Sequence, residues 1–156
     1  MERETVPPLE NPSPPLLVKR ATFVTLKTEG TLRGCIGQIH ATDPLWESAK
    51  EMSIAASCKD NRFPPLRPGE PYKIEISILS PLKTILEEEI IVGKHGLIVE
   101  ALEKRGVLLP HVATENGWDK TTFLSKTIQK ANLPPNIKNS AYFVLQAFET
   151  YLVREF

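Results

Sequence analysis

The sequence predicts an α+β fold, and three observations carry that reading. Short runs rich in β-branched and aromatic residues recur along the chain. Clusters of Gly, Pro and Asn separate them, so the strands are mostly meander-connected. Two segments instead repeat apolar residues at helical spacing. Roughly six to eight strands and two clear helices follow. The 156 residues suit one domain, or one domain with a small appended lobe. A chain of that length buries a core without disulfides or a structural metal.

Taken in order, residues 1–17 contain Pro7, Pro8, Pro12, Pro14 and Pro15. Proline fixes φ and removes donors, which predicts an extended arm ahead of a domain at 18–156. Ala21–Lys27 and Thr31–Ile39, joined by Thr28-Glu29-Gly30, form a β-hairpin. Asp43-Pro44 supplies an N-cap and a first helical proline, and Leu45, Ala49, Met52 and Ala56 mark one buried helix face that fades near Cys58. Asp60–Pro71 holds Pro64, Pro65, Pro68 and Pro71 and is irregular.

Tyr72–Leu79 alternates, with Ile74, Ile76 and Ile78 on one side, as in a half-buried strand. Ile90–Val92, Leu97–Val99 and Val107–Leu109 are short strands, the first two paired across a turn at Gly93–Gly96, and Pro110 closes the meander. Asp119 caps a helix reaching about Ala131. Tyr142–Phe148 is a strand that Tyr151–Val153 continues past a bend.

Composition excludes several functions. Nineteen basic residues balance nineteen acidic ones, so no global field draws in nucleic acid or an anionic membrane. No apolar stretch approaches the ~20 residues that span a bilayer. The first ten residues lack the apolar core of a secretory signal, and Cys35 and Cys58 read as reduced thiols, which together point to the cytoplasm. Walker, GxGxxG and GxSxG motifs are absent. Cys35, His40, Cys58, His95 and His111 show no metal-site spacing, so no metal is assigned and no cofactor is specified.

Three constellations can carry chemistry. Leu32–Gly37 reads LRGCIG. Its glycines allow tight folding or amides exposed to a ligand, and a cation such as Arg33 favours the nucleophilic thiolate of Cys35. The competing reading is a small buried hydrophobe in a glycine-kinked strand. Asp60–Leu66, DNRFPPL, holds Asp60 and Arg62 in a proline-stiffened loop, either to grip a ligand or simply to order the loop as an ion pair or Asx-turn. His111, just past a strand end, is a base for a cysteine elsewhere or a surface residue.

These segments together resemble the AMMECR domain family. The resemblance rests on LRGCIG at Leu32–Gly37, DNRFPPL at Asp60–Leu66, EISILSP at Glu75–Pro81, KHGLIV at Lys94–Val99, and LLPHVA followed by Trp118. It covers about residues 20–155 and is of the microbial type. It implies a mixed, largely antiparallel sheet flanked by helices, with a smaller appended lobe and a cleft beside LRGCIG. With the residue reading above, Cys35 and Arg33 are the catalytic candidates, and Gly34, Ile36, Gly37, Asp60, Arg62, Phe63 and His111 the ligand contacts. The expected partners are a small-molecule ligand and Memo-like and radical SAM proteins in a modification pathway. The alternative is a non-catalytic module that binds a ligand or protein through the same cleft. His111 departs from the family's frequent Gln, and Asn61 from its frequent Pro.

Overall fold

The computed structural model describes residues 9–155. The fold is α+β, with its strands in two four-stranded antiparallel sheets. The chain divides into two compact units, one running to Leu79 and resuming at Tyr151, the other spanning Ser80–Thr150.

The first unit opens on the proline arm. Pro7 and Pro8 lie outside the described residues, but Pro14–Leu17 form one turn of helix, α1, where an extended arm was expected. Proline is tolerated in the first turn because the donor it removes has no partner there. β1 (Thr22–Thr28) and β2 (Thr31–Gly37) form the predicted hairpin. Its two-residue loop has φ of 50° at Glu29 and 78° at Gly30, matching the primed turns that follow strand twist.

Helix α2 (Leu45–Cys58) starts one residue later than expected. Asp43 does not cap it; the Asp43 carboxylate accepts from the Thr42 hydroxyl instead. Of the predicted stripe Leu45, Ala49, Met52 and Ala56, Ala56 is buried and Met52 packs beside it, while Leu45 and Ala49 are only partly covered; Ser48 and Ala55 complete the buried face. The buried Ser48 hydroxyl is satisfied by Thr22 Oγ1 at 2.8 Å and by Gln38 Nε2 at 3.0 Å. α2 packs on Val24, Leu26, Ile36, Ile74 and Ile76 through Met52 and Ala56.

β3 (Lys73–Leu79) pairs with β1, and the sheet order is β2-β1-β3-β8, where β8 is Thr150–Arg154. β3 alternates as predicted, with Ile74 and Ile76 on the apolar face under α2 and Glu75 on the other, but burial does not follow that division: Ser77 and Leu79 are buried while Ile74, Ile76 and Ile78 are partly covered. β8 is no continuation of the preceding strand; the chain changes sheets at Glu149.

The second unit contains β4 (Lys83–Thr84), β5 (Gly96–Ala101), β6 (Lys104–Leu108) and β7 (Val144–Phe148), in the order β4-β7-β5-β6. Ile90–Val92 is not a strand. Glu87–Glu89 form a 3-10 turn in which the Leu86 N–H donates to the Glu89 carboxylate, and Ile90 anchors the turn in the core. β5 therefore pairs with β6 and β7, not with residues 90–92. The strand run does end just before Pro110, at Leu108, but Pro110 also begins a helix that was not expected, α3 (Pro110–Glu115), again as a first-turn proline. Asp119 caps α4 (Lys120–Lys130) as predicted, accepting from Thr122 N at 2.7 Å. That bond, chiefly, holds its carboxyl below the usual range. Phe123, Leu124 and Ile128 of α4 join Leu97, Val99 and Leu145 in a continuous apolar core.

Candidate functional site

The LRGCIG segment lies in β2, one of the two edge strands of the first sheet. Register fixes which way each residue faces. Leu26 lies opposite Gly34 and Lys27 opposite Leu32, so Arg33 is the extra residue of a β-bulge. Gly34 faces α2, where any side chain would overlap the Ala56 carbonyl oxygen. Gly37 lies under the Phe23 ring, its cross-strand partner. Both glycines thus serve close packing, and they bracket Cys35 because the neighbouring parts need the room.

Arg33, re-aimed by the bulge, turns to the proline loop. Its Nε donates to Glu70 Oε1 at 2.6 Å and its Nη2 to Oε2 at 3.2 Å. Its Nη1 donates to the Pro64 carbonyl at 2.8 Å and its Nη2 to the Pro65 carbonyl at 3.3 Å. The Arg33 bonds, with a further one from the Arg67 N–H, hold the Glu70 carboxyl below its ordinary value. Sequence reasoning missed Glu70, which lies 37 residues from its partner with no local pattern to mark it.

The cation beside Cys35 is Arg62. Cys35 N donates to Asp60 Oδ2 at 2.9 Å, and the Cys35 carbonyl accepts from Arg62 Nη2 at 3.4 Å. Asp60 and Arg62 meanwhile pair with each other, Nε to Oδ1 at 2.9 Å and Nη2 to Oδ2 at 2.7 Å. A carboxylate that accepts and a guanidinium that donates therefore meet the outer edge of β2 as a neighbouring strand would. Asp60 is buried, and the Arg62 bond holds its carboxyl far below the usual carboxylate range, against the opposing effect of burial. The same bond raises Arg62, to which the nearby Cys35 sulfur also contributes. Phe63 packs against this guanidinium at 5.5 Å.

Because the Cys35 main chain points outward, Cys35 and Thr25 form a non-hydrogen-bonded pair, and their side chains approach. The Cys35 sulfur lies 3.3 Å from Thr25 Oγ1. Thr25 in turn lies opposite Glu75, whose carboxylate binds Lys27 at 3.0 Å and lies 4.0 Å from Arg154. Cys35, Thr25, Glu75 and Arg154 thus make a polar row on the sheet face opposite α2. Thr25 and Glu75 were not singled out from sequence; strand alternation would have put them on one face, but only the register aligns them.

The structure therefore brings Arg33, Cys35, Asp60, Arg62 and Phe63 together. Ile36 packs into the apolar cluster under α2 instead of facing a ligand. His111 is an exposed residue of α3 in the second unit, its carbonyl accepting from Thr114 Oγ1. Cys58 is exposed and its thiol donates to the Ile54 carbonyl. Among the described residues no group of three His, Cys, Asp or Glu side chains could hold a metal ion. No helix among them is long and apolar enough to cross a membrane. A separate concavity of about 590 Å³ in the second unit is lined by Lys83, His95, Glu88 and Glu149 over Ile85 and Phe148.

The AMMECR1 family profile matches residues 1–153 of this chain. The chain belongs to the AMMECR1 family. A Methanopyrus kandleri protein is 40% identical to it, over 92% of this chain and 75% of its own length. A Methanothermobacter thermautotrophicus protein is 45% identical, over 76% and 66%. This AMMECR1 chain spans 63% of the length of an Aquifex aeolicus relative that is 44% identical. Its fold is similar to the crystal structure of an uncharacterized Pyrococcus horikoshii protein, with a TM-score of 0.90 and 34% identity, covering 97% of this chain and 81% of that one.

Proposed function

We propose that this AMMECR1 chain is a non-catalytic recognition module whose binding surface is β2 with the Asp60–Glu70 loop. The observation that carries this reading is the state of Asp60. Its carboxylate accepts from Cys35 N, Arg62 N, Arg62 Nε and Arg62 Nη2. An anion so fully engaged has no basicity left for general-base work. Among the described residues no carboxylate or imidazole hydrogen-bonds the Cys35 sulfur, whose side-chain partner is Thr25. A nucleophile needs a base or a special activation, and this one has a hydroxyl. What the segment offers outward is the half-exposed guanidinium of Arg62 with the Phe63 ring beside it, on a loop stiffened by prolines. That combination suits recognition of an anionic or aromatic group on a small molecule or protein.

The partners to test first are those the resemblance supplies, a Memo-like protein and a radical SAM protein. Binding of each purified partner is compared for wild type, Phe63→Ala, which leaves the clasp in place, and Cys35→Ser. Phe63→Ala is expected to weaken binding about tenfold, equivalent to ~1.4 kcal/mol, and Cys35→Ser to leave it unchanged.

One observation favours the enzyme reading instead: the Arg62 guanidinium stands beside Cys35, its Nη2 donating to the Cys35 carbonyl at 3.4 Å. Iodoacetamide labelling separates the readings. A recognition module should lose the exposed Cys58 thiol to alkylation faster than the half-buried Cys35. Faster modification of Cys35 than of Cys58 at neutral pH would restore the nucleophile.

A further inference from the structure

A sheet edge is a row of unpaired main-chain donors and acceptors, which proteins blunt with brevity, charge or cover. The two sheets have four edges. β2 is closed by the Asp60–Arg62 fork. β4 is two residues long. β6 opens with Lys104 and Arg105, both exposed and engaged by the Asn132 carbonyl and Glu100.

β8 is five residues long, its one charge, Arg154, lies 4.0 Å from Glu75 of the adjoining β3, and among the described residues nothing covers its outer edge. Ser80 N donates to the Glu149 carbonyl and Glu155 N to the Ile74 carbonyl, so odd-numbered residues face β3. Alternation turns the N–H and C=O groups of Thr150, Leu152 and Arg154 outward. Among the described residues, no loop or side-chain hydrogen bond reaches that outer row. Its side chains are apolar and open: Tyr151 is 71% exposed, Leu152 41% and Val153 46%.

We propose that β8 pairs antiparallel with β8 of a second copy of this chain, about a two-fold axis through Leu152. The open main-chain row specifies an extended strand as the occupant. The strand's own order makes it complementary to itself. With Leu152 opposite Leu152 of the second copy, the outward-facing donors and acceptors of residues 150, 152 and 154 all meet partners. Tyr151 lies opposite Val153, an aromatic against a β-branched side chain, which is a favourable cross-strand pair. Thr150 lies opposite Arg154, so the one charge within β8 never faces its like. Beyond the strand, Glu149 meets Glu155, but Lys94 already binds the first at 3.1 Å and the Ile74 N–H the second at 3.3 Å. The antiparallel arrangement is the one a closed dimer requires, because the two-fold makes both surfaces identical. One strand pair is smaller than the ~1,600 Å² of a standard interface, so the dimer depends on concentration.

Sedimentation velocity on the full chain, from micromolar to the highest attainable concentration, tests this. The weight-average mass of wild type is expected to rise from one chain towards two. Leu152→Lys puts like charges on the axis and should hold the mass at one chain throughout. Tyr151→Lys alters a side chain that is already mostly in solvent, so its fold is secure, and it should shift the transition to higher concentration. Circular dichroism confirms that each variant is folded. A wild type that stays at one chain everywhere overturns the proposal, as does a dimer that persists unchanged in the folded variants.

Discussion

The two units solve the same packing problem with similar parts and hold themselves together differently. Each sheet lets a helix backbone sit directly on a glycine: Gly34 under Ala56 in the first, Gly106 under Thr127 and Ala131 in the second. Each also lays a phenylalanine ring over its cross-strand glycine, Phe23 on Gly37 and Phe148 on Gly96. The second unit adds a large apolar core that runs from Ile85 to Ala147. The first has a much smaller cluster around Val24, Leu26 and Ala56. It fastens its long loop with two arginine–carboxylate pairs, Arg33–Glu70 and Arg62–Asp60. The glycines of LRGCIG are therefore a general device of this chain, while the first unit relies on its arginine–carboxylate pairs to hold a long proline loop to a strand edge.

The largest expected effect comes from breaking the apolar side of that contrast. Phe123 is fully buried in α4, and Phe123→Ala should cost about 3–5 kcal/mol in denaturant unfolding. Next comes the glycine device. Gly34→Ala forces a methyl into main-chain atoms of α2 and should cost about 3 kcal/mol. Gly37→Ala meets an aromatic side chain that can swing aside and should cost only about 1 kcal/mol. Equal losses would show that β2 and α2 move apart as freely as the Phe23 ring does.

The third effect is confined to the first unit and depends on pH. Asp60 titrates lower in the folded chain than in the unfolded one. Its stabilisation is thus present above the unfolded value of ~3.9 and is lost as pH falls below it. Hydrogen exchange should show β1–β3 amides losing protection in acid ahead of those in β5 and β7. Asp60→Asn should lower first-unit protection at neutral pH and flatten its acid dependence. Smallest of all, Asp119→Ala removes a helix cap in the second unit and should cost about 1 kcal/mol, without the acid response of the clasp.

Much of this architecture was legible because it is local. The Glu29-Gly30 turn, the α2 and α4 periodicities and the Asp119 cap each involve residues within a turn or two of one another. What escaped was set by distant partners or by identical local patterns. Pro110 reads as a strand terminator and as a helix start equally well, and only the residues that follow it in space decide. Ile90–Val92 is apolar because Ile90 plugs a core, not because the segment pairs. At the candidate site, the Asp60–Arg62 pair was anticipated as a loop-ordering contact. The bulge that swings Arg33 away from Cys35 towards Glu70 was not. One inserted residue reassigns which arginine attends the cysteine, and no spacing within LRGCIG records it.

If copies pair through β8 as proposed, the Asp60–Arg62 fork on β2 would set how far a chain of molecules can grow. A sheet with a single open edge can add one neighbour and then stops. If the second edge opened as well, each copy could accept a strand on either side, and the outcome would be a ribbon without a natural end. Removing the fork while leaving β8 intact should therefore turn a self-limiting pair into particles whose light scattering rises steadily with time. The same substitution in a Leu152→Lys background should stay clear, which would mark one carboxylate–guanidinium pair as the terminator of the assembly.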